Sequence, residues 1–137
     1  MRFWDTSALV PLFADEEMTP RVRNVLALDS KVIVWSFTRV ELASAMWRRD
    51  PPPRANRAAA IAEVMRVWSD WSEVTRFESV TAHAISMCER HRLRAGDALQ
   101  LAAALVASRG KPSSLPFVTL DHALASAARA EGFPVLP

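Results

Sequence analysis

The run Ala98-Leu-Gln-Leu-Ala-Ala-Ala-Leu-Val-Ala107 is apolar at almost every position, and it restricts the fold more than any other stretch of the chain. A helix that is apolar on all sides leaves no face for water, so other layers must enclose it. It is far shorter than the roughly 20 residues a membrane span needs, so the enclosing layers are protein. The rest of the chain indicates which layers. Phe3-Trp4, residues 31–35 and residues 117–120 are short apolar runs, and between them lie stretches with helical spacing. Such alternation predicts an α/β fold with a mostly parallel central sheet of four or five strands flanked by helices.

Helices are expected over residues 7–13, 19–28, 38–49, 54–71, 79–91 and 122–130, with small strands at 73–77 and 133–136. Thr38-Arg-Val-Glu41 fits a capping box that opens its helix, and Asp50-Pro-Pro-Pro53 closes it, because three prolines cannot continue the ladder. In the following helix, Ile61, Val64, Met65 and Trp68 form a stripe suited to a core or a subunit interface. The acids Asp15-Glu16-Glu17 complement a helix dipole and stay solvated. His83 and His91, with no acid or cysteine at ligand spacing, read as partly exposed side chains.

At 137 residues the chain suits one domain, spanning 1–137. No apolar run is long enough for a bilayer and the N-terminus lacks a secretory pattern, so a cytoplasmic protein without membrane contact is expected. The lone cysteine, Cys88, has no partner for an internal disulfide and reads as a small core residue. Net charge is only +2, yet fifteen arginines stand against two lysines. Guanidinium forks suit phosphate oxygens, although solvated faces account for the same composition.

Four acids stand at places where chemistry is possible. Asp5 and Asp121 leave strand ends directly, Glu41 lies one turn into the helix after a strand, and Asp97 opens the buried helix. Singly, each can be a cap. Together, a parallel sheet brings them to one rim, where crowded carboxylates repel unless a cation lies among them. Oxygen ligands without His or Cys point to Mg²⁺ or Mn²⁺, and so to phosphoryl chemistry. A haloacid-dehalogenase-type site would need an acid at position 7, which is Ser, and the three glycines form no phosphate-cradling run. A non-enzymatic α/β binding module, its acids serving only as caps, is the contrasting reading.

The motifs D-T-S-A-L from Asp5, E-L-A-S-A from Glu41, G-D-A-L-Q-L-A-A-A-L from Gly96 and F-V-T-L-D ending at Asp121 carry a resemblance by their order and spacing. Over nearly its whole length the chain resembles PIN-domain ribonucleases, and among them the VapC toxins of bacterial toxin-antitoxin pairs. The resemblance implies a PIN-like three-layer sandwich and an endoribonuclease whose metal site is Asp5, Glu41, Asp97 and Asp121, supported by the hydroxyls of Ser7 and Thr119. It also implies Mg²⁺ or Mn²⁺ as cofactor, an RNA substrate, a VapB-type antitoxin and a homodimer within the toxin-antitoxin complex. A stand-alone PIN-type nuclease of RNA processing is the alternative within the same resemblance. Gln100 stands where many relatives carry His, and it is expected to lie off the acidic set.

Overall fold

The computed structural model describes residues 1–14, 16–49 and 56–137. Along them run the strands β1 (Arg2–Trp4), β2 (Val32–Trp35), β3 (Ser72–Val74), β4 (Phe117–Val118) and β5 (Val135–Leu136). The helices are α1 (Thr6–Phe13), α2 (Thr19–Leu28), α3 (Thr38–Arg49), α4 (Arg57–Trp68), α5 (Phe77–His91), α6 (Ala95–Ala107) and α7 (His122–Ala130). The strands form one sheet in the order β3-β2-β1-β4-β5. Every pairing is parallel, with Phe3 in register with both Ile33 and Phe117. Parallel pairing turns all carboxyl ends to one rim, from which α1, α3 and α7 depart after β1, β2 and β4.

Side chains alternate across a strand, so neighbouring residues enter different cores. Phe3, Ile33, Trp35 and Phe117 pack with Val80, Ala84 and Met87 of α5, the apolar length of α6, and Leu124 and Ala128 of α7. The Phe3 and Phe117 rings stack with centroids 5.4 Å apart. Trp4, Val32, Val34 and Val118 pack instead with Ala8 and Leu9 of α1, Val22 of α2, Leu42 of α3, and Val64 and Trp68 of α4. The result is the expected helix-sheet-helix sandwich. Ala98 and Leu101 to Ala104 of α6 are buried, as a helix apolar all round requires.

Several local expectations are corrected. β3 ends at Val74, and Phe77, expected within that strand, opens α5 with its ring 5.0 Å from Trp35 and 5.3 Å from Phe37. α4 ends at Trp68 rather than at residue 71. Of its stripe, Val64 and Trp68 are core, whereas Ile61 and Met65 are exposed. Cys88 is exposed, not a core residue, because α5 buries Val80, Ala84 and Met87 and position 88 lies past that face. The Thr38–Glu41 capping box does not form. Both side chains turn inward to Gln100, while the Glu41 N–H bonds the Phe37 carbonyl. His91 is partly exposed as expected, with its ring nitrogen 2.7 Å from the carboxylate of Glu131, the C-cap of α7. Asp15 and the 50–53 loop lie outside the described residues, as does the expected start of the fourth helix at Arg54.

Candidate active site

At the carboxyl rim of the sheet, a cavity of about 450 Å³ is lined by Asp5, Glu41, Asp97 and Asp121, together with Thr6, Ser7 and Gln100. Each acid arrives by a different route. Asp5 is the N-cap of α1 and Asp121 the N-cap of α7, so both follow directly from the strand-to-helix turns. Glu41 lies in the first turn of α3 and Asp97 in the first turn of α6.

The hydrogen bonds divide these carboxylates in a regular way. Oδ2 of Asp5 accepts from the Ser7 N–H at 3.0 Å, from the Ser7 hydroxyl and from the Thr119 hydroxyl at 3.0 Å. Oδ1 of Asp121 accepts from the Leu124 N–H at 2.7 Å. Oε2 of Glu41 accepts from the Thr6 hydroxyl and from the Gln100 amide, both at 2.6 Å. Each of the three acids therefore ties one oxygen to the protein and leaves the other without a hydrogen bond among the described residues. The half-buried Asp97 has neither oxygen tied to a described residue. Ser7 and Thr119 also join the two strand ends, since the Leu120 N–H donates to Ser7 Oγ and the Asp121 N–H to Thr119 Oγ1.

Burial first, and then this crowding, sets the electrostatics. Burial pushes the Asp5 carboxyl up to about 6, against the opposing pull of its Ser7 and Thr119 hydrogen bonds, and the Glu41 charge adds to the rise. Asp97 is raised as well, first by burial and then by the charges of Asp121 and Glu41, with Arg94 opposing. Among the described residues, no three acidic, imidazole or thiol groups are already closed up as a metal cage. The donor set nonetheless fits a hard divalent cation, because it is all oxygen, mutually repelling and half untied. Such an ion would relieve the repulsion that adds to the rise at Asp97.

The PIN domain profile matches residues 2–130 of the sequence. The chain belongs to the PIN domain family. PIN domains are nucleases. Among solved structures, the fold is similar to VapC20 of Mycobacterium tuberculosis, a sarcin-ricin loop cleaving toxin, at a TM-score of 0.70 and 19% identity, with 100% of both chains covered. It is also similar to a chain of a toxin-antitoxin complex from Klebsiella pneumoniae, at 0.69 and 14% identity, covering 100% of this chain and 97% of that one. FitAcB from Neisseria gonorrhoeae matches at 0.69 and 18% identity, with the same coverages. No match is found among the curated proteins.

In this PIN domain all four expected acids and Ser7 line the one cavity, and Thr119 touches it through Asp5. Gln100 departs from expectation. Instead of lying off the acidic set, it is buried against Glu41. Thr6 was missed entirely, although it is the hydroxyl that bonds Glu41. A signal for Gln100 was present in the sequence: a polar side chain on a helix otherwise apolar all round has no water to turn to, so it must find buried partners.

Proposed function

We propose that this chain is the toxin of a type II toxin-antitoxin pair, a single PIN domain over residues 1–137 that hydrolyses RNA phosphodiester bonds with Mg²⁺ or Mn²⁺ at Asp5, Glu41, Asp97 and Asp121. The observation that carries the reading is the set of four carboxylates from four elements lining one cavity, with the Asp97 carboxylate accepting no hydrogen bond among the described residues. A bound cation would supply charge neutralisation and water activation at the scissile phosphate. The chain's own residues do the rest. Ser7 and Thr119 orient Asp5, the α7 N-terminus holds Asp121, and Gln100 and Thr6 hold Glu41. The similarity in fold to toxins supports the same reading.

A VapB-type antitoxin has a fitting place to bind. Between α3 and α4 lies an apolar groove of about 280 Å³, lined by Val40, Met46, Trp47, Ile61 and Met65 among others. Val40 lines the acidic cavity too, so groove and site share a wall there. An amphipathic antitoxin segment seated there could extend an Arg onto the carboxylates and exclude the metal. Elsewhere near the rim the apolar surface is taken up by the protein itself: Val10 and Trp68 are core, while Leu12, Phe13 and Trp71 pack partly buried against it. The toxin would act as a homodimer within that complex.

The test is cleavage of RNA by the purified chain in Mg²⁺, in Mn²⁺ and after exhaustive chelation, repeated with the small protein encoded beside it. Metal-dependent cleavage, suppressed by a co-purifying neighbour, is expected. Undiminished cleavage in chelator refutes the metal mechanism. A neighbour that neither binds nor inhibits leaves a stand-alone PIN nuclease.

A further inference from the structure

One helix lies against both oxygens of Glu41. Gly96 and Gln100 stand four residues apart on α6, so they share a face of it. That face meets both oxygens of the carboxylate. The Gln100 amide nitrogen lies 2.6 Å from Glu41 Oε2, 2.9 Å from Thr38 Oγ1 and 3.0 Å from Thr6 Oγ1. A Cβ added to Gly96 would lie 3.1 Å from Glu41 Oε1, closer than side chains ordinarily approach. Glycine here therefore provides room and not a turn.

The amide can face only one way. Gln100 is 1% exposed, and its Oε1 is buried without a hydrogen-bond partner among the described residues. An unpaired buried carbonyl is costly. Flipping the amide would put that oxygen 2.6 Å from the Glu41 carboxylate, two acceptors in contact, which is worse. The arrangement thus accepts one orphaned oxygen so that an N–H points at Glu41.

We propose that Gly96 and Gln100 are positioning residues that together fix the Glu41 carboxylate, with Oε2 tied and Oε1 open, and thereby set the affinity of the acidic cavity for a divalent cation. The inference rests on the metal-site reading above. Partners that orient a metal-binding side chain are commonly worth about 10–100-fold in affinity. Neither residue contacts the cation or the RNA in this role.

The experiment titrates Mn²⁺ alone into wild type, Gln100→Met, Gly96→Ala and Thr38→Val by calorimetry, and follows the melting of each in chelator. Gln100→Met keeps length and removes the donor, while Gly96→Ala intrudes on Oε1 and favours the helix. Both are expected to weaken Mn²⁺ binding by about tenfold or more. Thr38→Val, which touches the amide but not Glu41, is expected to stay within about threefold. Should Gln100→Met not fold, Gly96→Ala decides alone. Folded variants that bind Mn²⁺ within twofold of wild type overturn the inference, and weakening in only one of the pair overturns the joint role. Wild type that binds no Mn²⁺ overturns the metal-site reading itself.

Discussion

Asp5→Asn is expected to make the metal-free protein more stable at neutral pH while removing its response to metal. Asp5 is 4% exposed, and its carboxyl is raised from the ordinary 3.8 to about 6, chiefly by burial. A raised carboxyl binds its proton more tightly in the folded chain than in the unfolded one. Its contribution to stability is therefore fully present below about 4 and lost as pH climbs through 6. At about 1.4 kcal/mol per tenfold step in acidity, the loss amounts to about 3 kcal/mol at pH 7 and above. Asn is neutral throughout, and its Oδ1 can take the place of the oxygen that accepts from Ser7 and Thr119, so it avoids the loss and keeps the cap. In a chain of this size, about 3 kcal/mol corresponds to roughly 10 °C of melting temperature. The assay is thermal melting of both proteins in chelator between pH 4 and pH 8. The difference between them should be near zero at pH 4, grow between 4 and 6, and level off above. Added Mg²⁺ at pH 7.5 should then raise wild type but not the variant, because binding stabilises only a chain that offers the site. A variant that melts below wild type at pH 8, or a difference that does not change with pH, would refute the reasoning and leave Asp5 as a structural cap alone.

Asp97→Asn should abolish RNA cleavage without lowering the melting temperature in chelator, because it removes a charge repelled by Asp121 and Glu41 and breaks no hydrogen bond; wild-type cleavage rates in Mg²⁺ would count against its place in the site. Paired Ile61→Asp and Met65→Glu, on the exposed α3–α4 groove, should prevent co-purification of the antitoxin and leave RNA cleavage within about threefold, as measured by pull-down and by initial rates. Phe117→Ala, at a fully buried position between Phe3 and Phe133, should cost about 3–5 kcal/mol in urea unfolding, the range for emptying a packed aromatic site.

Much of this architecture is legible because its determinants are local. The alternation of Phe3/Trp4 and Phe117/Val118 between the two cores follows from the period of a strand, and the burial of α6 follows from a run with no polar face. The acids are legible for a related reason, since a parallel sheet carries its strand ends to one rim whatever the loops between them do. What stayed hidden depends on distant partners. Thr38 and Glu41 match a capping box in sequence, but Gln100, 62 and 59 residues away, takes both side chains into the interior. A motif four residues long cannot register that competition. The exposure of Cys88 was hidden for the opposite reason: a small apolar residue is compatible with either side of an amphipathic helix, and only the position of the buried stripe through Val80, Ala84 and Met87 decides.

Cap and site residue, which the sequence offers as alternatives for Asp5 and Asp121, are compatible because a carboxylate has two oxygens. One N–H at a helix start needs a single acceptor. Oδ2 of Asp5 and Oδ1 of Asp121 fill that need, and the other oxygen of each is left untied beside the same cavity. Capping also supplies precision, since the strand fixes the turn, the turn fixes the cap, and the cap fixes the direction of the remaining oxygen. Glu41, which caps nothing, receives the same division of its oxygens from Thr6 and Gln100. The cost falls on stability, because burial, reinforced by neighbouring carboxylates, raises Asp5 and Asp97 and works against the metal-free fold. A fold whose site charges oppose it in this way gains most from the ion they would hold, so metal binding and folding should be strongly coupled in this chain.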